Sequence, residues 1–225
     1  MGMRMKRVAG VLLSMLMMHG AFAADDIPLV THDGLELVSD SDIGVLYAKP
    51  GISFGAYKNI ALLETTVEFR KNWRRDHNRK AKGVNERVTK QEAAELKQQI
   101  VDGFMEVVTG ELSDRGYGMA EFVAKDVLVL EPSIVNVDIV RPNDGTSIGL
   151  MNYSAHSGQM TLLVEVYDSL TGEIMARIID QQSVNGDNQT AVSNRETTKA
   201  EGQIIFRRWA GLLGGYLRGA AAQGS

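Results

Sequence analysis

The chain has 225 residues, a formal net charge of −4 at pH 7 and no cysteine. This length suits one domain with extensions, and 44% hydrophobic and 23% charged residues are typical of a globular protein. The absence of cysteine excludes disulfides, thiol nucleophiles, cysteine-ligated metal sites and thiol lipidation. The slightly acidic balance argues against nucleic-acid binding.

The first 23 residues have the pattern of an export signal. Arg4, Lys6 and Arg7 form a positive region, Val8–Met18 is largely apolar, and Ala21-Phe22-Ala23 offers small residues where signal peptidase cleaves. The apolar run of about eleven residues is shorter than the roughly twenty that a membrane-spanning helix needs. We therefore expect cleavage after Ala23 and a periplasmic mature chain with no transmembrane span. An uncleaved N-terminal anchor is the alternative.

The remaining sequence predicts an extended N-terminal segment, residues 24–45, followed by a single α+β domain, residues 46–222. Apolar residues at near-alternating positions predict the strands. Asp168-Ser169-Leu170-Thr171-Gly172 predicts the turn of a hairpin. In the strand that ends at residue 140, Val135, Val137 and Ile139 are expected to share the buried face. The predicted strands cover residues 59–70, 119–124, 126–140, 159–167 and 173–181, and polar loops cover residues 141–156 and 185–194.

Two amphipathic helices are predicted, at about 89–115 and 194–218. Thr89 and Glu92 have the spacing of a capping box, and Gly116 suits the end of the first helix. Apolar residues follow at helical spacing in both segments. Because strands run consecutively with helices at separate points, we expect an α+β fold with a mainly antiparallel sheet. The apolar positions are Leu96, Ile100, Phe104, Val107 and Val108 in the first helix, and Ile205, Trp209, Leu212 and Tyr216 in the second.

Four short stretches carry a family resemblance, and they are Asp33-Gly34-Leu35, Tyr47-Ala48-Lys49-Pro50-Gly51, Tyr57-Lys58-Asn59-Ile60 and Val164-Glu165-Val166-Tyr167-Asp168-Ser169-Leu170-Thr171-Gly172-Glu173. Together they resemble the bacterial family catalogued as domain of unknown function 3313, over roughly residues 33–183. The resemblance implies an exported cell-envelope protein, commonly lipid-anchored at an N-terminal cysteine. Since this chain lacks cysteine, we expect it not to be lipid-anchored. The resemblance supplies no catalytic residues.

No coherent catalytic or metal-binding set is present in the sequence. Gly145-Thr146-Ser147-Ile148-Gly149 matches the G-x-S-x-G pattern of serine hydrolases, but no convincing helix follows it, so a glycine-containing loop is the favoured interpretation. His32, His77 and His156 lack the spacing of zinc ligands. Asp76-His77 is more typical of a charged surface than of an acid–base pair. We therefore expect no catalytic residues, no cofactor and no bound metal.

The segment 70–82 is strongly basic, with seven basic residues against one acidic residue. A positive stretch containing an aromatic residue suits anionic lipid headgroups, an acidic envelope polymer or an acidic protein surface. A solvated connector that makes no specific contact is the alternative. The candidate contact residues are Arg70, Lys71, Trp73, Arg74, Arg75, Arg79, Lys80 and Lys82.

Gly211, Gly215 and Gly219 repeat every four residues in the second predicted helix and therefore share one helix face. Such a ridge permits close backbone approach by a partner or by a second copy, so homo-oligomerisation through this helix is one interpretation. Tight packing on the protein's own sheet is the other. Each helical glycine costs about 0.5–1 kcal/mol relative to alanine.

The leading hypothesis is thus a non-catalytic, envelope-associated protein that binds a protein, an envelope polymer or a membrane surface. The alternatives are a secreted serine hydrolase that uses Ser147 and a carrier of small ligands. The hydrolase needs an imidazole near 3 Å from the serine oxygen, and the carrier needs an apolar pocket between sheet and helices.

Overall fold

The computed structural model describes residues 27–38, 44–81, 83–84, 87–140, 154–183 and 195–222. Within them, eight strands form a single sheet, with three helices placed along the chain. The strands are β1 (Glu36–Leu37), β2 (Val45–Ala48), β3 (Asn59–Leu62), β4 (Thr66–Phe69), β5 (Gly118–Met119), β6 (Val127–Val140), β7 (Ser154–Asp168) and β8 (Ile174–Ser183). The helices are α1 (Trp73–Lys80), α2 (Lys90–Asp114) and α3 (Arg195–Ala222).

The α+β class is confirmed, but the expectation of a mainly antiparallel sheet is wrong because the sheet is mixed. Its order is β1-β2-β8-β7-β6-β3-β5, and β4 also pairs with β6. The pairs among β1, β2, β8, β7 and β6 are antiparallel, whereas β3 and β4 run parallel to β6, and β5 runs parallel to β3. The reason is the 25-residue helix α2, about 37 Å long. It returns the chain to the end of the sheet where β3 began, so the following strands run in the same direction.

Several predicted boundaries are corrected by the structure. The single strand expected at 59–70 is split into β3 and β4, and between them Thr65 turns its hydroxyl to the sulfur of Met105, at 3.2 Å. The strand expected at 119–124 is reduced to β5. β7 begins at Ser154, inside the segment expected to be a loop, whose residues 141–153 lie outside the described residues. A third helix, α1, occupies most of the basic segment.

A bulge in β6 overturns the expected sharing of a face by Val135, Val137 and Ile139. Asn136 has a φ of +54°, and the pairing with β7 shifts between Val135 and Asp138. An extra residue in one strand reverses the side-chain alternation beyond it. Val137 and Ile139 are therefore buried on the same face as Ile134, while Val135 is on the other face.

Helix α2 begins at the predicted capping box. The Glu92 amide donates to Thr89 Oγ1 at 3.1 Å, and the Thr89 amide donates to Glu92 Oε2 at 2.6 Å. At the other end Gly116 follows the helix with a φ of +89°, a conformation that glycine adopts without strain. The buried stripe of α2 consists of Leu96, Ile100, Phe104, Val108 and Leu112.

Helices α2 and α3 pack against one another over one face of the sheet. Phe104 of α2 makes edge-to-face contacts with Phe206 and Trp209 of α3, with ring centroids 5.8 and 6.2 Å apart. The indole nitrogen of Trp209 donates to the buried carboxylate of Asp180 in β8 at 2.7 Å. The buried face of α3 comprises Ile205, Phe206, Trp209, Ala210, Leu213 and Leu217, so Leu212 and Tyr216 of the predicted stripe are only partly buried.

The glycines of α3 have unequal surroundings. A Cβ at Gly214 would lie 2.2 Å from Cδ and 2.6 Å from Nε of Arg115, which crosses this part of the helix. At Gly211 the nearest atom would be an Arg115 nitrogen at 3.8 Å, and at Gly215 nothing lies within 4 Å. The close approach thus falls at Gly214, outside the predicted ridge. Gly219 lies within α3.

We predict opposite effects of alanine at the two adjacent glycines. Gly215→Ala should raise the free energy of unfolding by about 0.5–1 kcal/mol, because it removes backbone freedom in the unfolded chain and meets open space. Gly214→Ala should be at least about 1 kcal/mol less stable than Gly215→Ala, because Arg115 must move and give up its ion pair with Glu111 (2.7 Å). Urea unfolding measures both, and the difference should shrink in an Arg115→Ala background. Equal gains from the two substitutions would contradict the packing of Arg115 on Gly214.

Candidate functional site

Trp73 attaches the basic segment to the end of the sheet. Its ring stacks on Phe69 at the end of β4, with centroids 4.0 Å apart and planes at 8°. Its indole nitrogen donates to the carbonyl oxygen of Ile139 in β6 at 3.0 Å. Trp73 is only 2% exposed. The prediction that Trp73 contributes to the contact surface is therefore wrong, because this side chain belongs to the hydrophobic core.

A second attachment fixes the far end of α1. The side chain of Asn78 donates to the Val88 carbonyl at 2.9 Å and accepts from the Val88 amide at 2.7 Å. Val88 is buried, so α1 is tied to the segment that leads into α2. This attachment brings exposed Arg87 near α1. The sequence prediction stopped at Lys82 and missed Arg87, since only the Asn78–Val88 pairing shows that the chain returns to α1.

Arg70 has a structural role between two carboxylates. It lies 2.7 Å from Asp138 and 3.1 Å from Asp76. Hydrogen bonding to Arg70 and the charges of Arg75 and Arg79 lower the pKa of Asp76. The Asp76 carboxylate is therefore engaged in ion pairs with guanidinium groups. This disfavours its use as one half of an acid–base pair with His77.

The remaining cations form what we call the basic surface, defined as Lys71, Arg74, Arg75, Arg79, Lys80 and Arg87. The side chains of Arg75 and Arg79 are 70% and 74% exposed, and each has one long contact to Asp76, at 3.6 and 3.8 Å. Among the described residues, no carboxylate lies within 4.0 Å of a side-chain nitrogen of the other four. Lys82 lies outside the described residues. The basic surface is thus attached to the domain at two points, Trp73 and Asn78, and is largely unneutralised.

Residues from three of the four stretches that carry the family resemblance meet at the opposite end of β7 and β8, where they hold a turn. Asp168 accepts hydrogen bonds from the Tyr57 hydroxyl at 2.7 Å and from the amides of Leu170 and Thr171 at 3.0 and 2.8 Å. Burial raises the pKa of Tyr57, as does Asp168, to about 12. Burial alone would raise the pKa of Asp168, but these hydrogen bonds lower it overall. An ion pair between Lys49 and Glu173 closes the same turn.

Another ion-pair group joins the N-terminal segment to the sheet. Arg177 in β8 contacts Asp33 at 2.5 Å and Glu165 at 2.7 Å. Although burial opposes ionisation of Asp33, the hydrogen bonds from Arg177 and Thr31 lower its pKa. These ion pairs connect the N-terminal segment to β7 and β8, and each carboxylate of the group already has a cationic partner.

The metal and hydrolase alternatives concern residues that the structure describes only in part. Across these residues, no group of three or more His, Asp or Glu side chains is arranged to hold a metal ion. Ser147 lies outside the described residues, and the side chain of His156 is not described. No helix in the described ranges is long and apolar enough to cross a membrane.

The sequence comparison assigns the family. The model of the family described as protein of unknown function (DUF3313) matches residues 29–210, so the chain belongs to that family and the resemblance is confirmed. No curated protein sequence matches the chain significantly.

Solved structures offer only distant similarity. The PelC dodecamer from Paraburkholderia phytofirmans is 8% identical, with 73% of this chain and 97% of that chain covered and a TM-score of 0.37. A variant of the same dodecamer, in a second crystal form, has a TM-score of 0.35 at 8% identity, with 72% and 93% covered. A PDZ domain protein from Parabacteroides distasonis is 9% identical, with 73% of this chain but 34% of that chain covered and a TM-score of 0.32.

We predict that Trp73 and its neighbour Arg74 differ sharply in their effect on stability. Trp73→Ala should lower the free energy of unfolding by about 3–5 kcal/mol, because it removes a buried aromatic ring. Trp73→Phe should lie between this value and wild type, because it keeps the stacking but loses the bond to Ile139. Arg74→Ala should stay within about 0.5 kcal/mol of wild type. Denaturant unfolding measures all three, and a Trp73→Ala protein as stable as wild type would contradict the role of Trp73 in the core.

Proposed function

We propose that the protein is exported to the periplasm and acts there by binding, with the basic surface contacting an anionic component of the cell envelope. The observation that supports this proposal most directly is that the exposed cations of the basic surface lie on a helix attached to the domain through Trp73 and Asn78. A binding surface that is already ordered loses less entropy when its partner arrives. Opposite charge on a partner accelerates association and selects against cationic competitors.

The proposal of binding rather than catalysis is supported by what the charged groups already do. Arg70, Asp76 and Asp138 form one ion-pair group, and Asp33, Glu165 and Arg177 form another. A general acid or base needs an unsatisfied position toward a substrate, whereas these carboxylates are paired with guanidinium groups. The proposed location is supported by the sequence, since the pattern around Arg4–Ala23 is typical of a cleavable leader.

We predict that removing four cations from the basic surface abolishes most capture of the envelope partner. In the variant Arg74→Ser, Arg75→Ser, Arg79→Ser and Lys80→Ser, the attraction that each of these cations contributes is lost. Retention of envelope components in a pull-down should fall at least ten-fold, while circular dichroism should be unchanged.

The matched control carries the same change in charge elsewhere. Lys58, Lys125, Arg207 and Arg208 are also exposed, and their joint replacement by serine should leave the pull-down intact. If the two variants lose capture equally, net charge rather than the basic surface is responsible. If neither variant loses capture, the basic surface is not the contact.

We predict that the chain recovered from intact cells starts at Ala24 and is released with the periplasmic fraction. Signal peptidase requires small residues at the last and third-last leader positions. Ala21→Arg should therefore block processing and leave the full-length chain attached to membranes. N-terminal sequencing of both proteins tests this, and an unprocessed wild-type chain in the cytoplasmic fraction would overturn the proposed location.

A further inference from the structure

We infer that the partner of the basic surface is an anionic phospholipid bilayer, and that Val84 enters its interface. This inference rests on the proposed function, because it specifies the chemistry of the anionic partner. The starting observation is that Val84, between α1 and α2, is 79% exposed. It is more exposed than any other large hydrophobic side chain in the described residues.

Val84 is close along the chain to two cations of the basic surface, Lys80 and Arg87. It is four residues beyond Lys80, and therefore within about 14 Å of it. The Arg87 amide donates to the Val84 carbonyl at 3.1 Å, which places Arg87 in the same turn. Residues 70–87 carry eight basic and two acidic residues. An apolar side chain thus projects from a strongly positive region.

The chain is attached to the rest of the domain on both sides of Val84. Trp73 anchors the start of α1 in the core, and the two hydrogen bonds between Asn78 and Val88 fix the other side. Between these attachments Val84 is exposed, and keeping an apolar side chain in water is unfavourable.

An anionic bilayer offers a partner both for the cations of the basic surface and for the exposed Val84 side chain. Lipid phosphates match the guanidinium groups of Arg74, Arg75 and Arg79, and each cation near an anionic surface strengthens binding about five-fold. The adjacent acyl region receives an apolar side chain. A soluble polyanion offers the phosphates without an apolar medium, so Val84 would contribute nothing to binding it. This difference separates the two partners.

The experiment compares three valine and charge variants of the exported chain on two probes. Cosedimentation uses vesicles of phosphatidylglycerol and phosphatidylcholine, with pure phosphatidylcholine vesicles as the uncharged reference, and soluble polyphosphate is the second probe. The variants are Val84→Ser, the matched control Val123→Ser, which replaces a valine that is 40% exposed elsewhere, and the joint serine replacement of Arg79, Lys80 and Arg87.

We expect binding to the anionic vesicles and little binding to pure phosphatidylcholine. Val84→Ser should weaken vesicle binding about three- to ten-fold and leave polyphosphate binding unchanged, while Val123→Ser changes neither. The triple charge variant should lose about a hundred-fold on vesicles and should also lose polyphosphate binding. Unfolding curves for each variant establish that the loss is not one of folding.

Two outcomes would overturn the inference while leaving the proposed function in place. One is binding of polyphosphate, or of an anionic protein from the envelope pull-down, without binding to anionic vesicles. The other is vesicle binding that Val84→Ser does not weaken. If neither probe binds and the envelope pull-down is insensitive to the serine variants, the proposed function itself fails as well.

Discussion

The fold depends on removing one face of a mixed sheet from water. The central antiparallel strands present alternate apolar side chains on this face, and α2 and α3 cover it with their buried stripes. Phe104 lies where the two helices meet, in contact with Phe206 and Trp209. The bond from Trp209 to Asp180 satisfies a carboxylate that would otherwise be costly to bury in this layer. The hydrophobic stabilisation is proportional to the apolar area that is buried. Loss of the contact between these helices would expose the sheet face and the core beneath it, and would therefore remove much of this stabilisation.

The same arrangement determines where the basic surface lies. α2 packs along the sheet, so the chain must leave β4 at one end before it can enter the helix, and α1 fills this connection. Trp73 closes the end of the core by stacking on Phe69 and bonding to Ile139. One face of a short, otherwise polar helix is therefore committed to the core. The cations between these attachments are exposed to solvent. The attachments convert what would otherwise be a disordered run of charge into an ordered basic surface.

Local signals allowed much of the secondary structure to be predicted. The capping box at Thr89 and the glycine at 116 both act over a few residues, and they correctly located α2. The turn at 168–172 correctly joined two antiparallel strands. The misses arose where a distant contact decided the structure. Asn136 adopts a left-handed conformation within β6 and shifts its register, and nothing in an alternating valine-rich sequence indicates such a bulge. The polar sequence of α1 has no apolar stripe, so it predicts a surface position for the tryptophan that the structure buries.

The sequence alone determined the class of the fold, both long helices, the family and the position of the positive charge, because each depends on residue type and short-range spacing. The tertiary structure decided which charges are available. It paired Arg70 with Asp138 and Asp76, buried Trp73, added Arg87 through the Asn78–Val88 bonds, and left Val84 in water. It also placed the close approach of α3 at Gly214 beneath Arg115, not along the ridge of every fourth glycine. The contacts of Arg70 with Asp138, of Trp73 with Ile139 and of Arg115 with Gly214 bring together residues far apart along the chain. Such contacts depend on the sheet order and the packing of its helices, which short-range patterns do not specify.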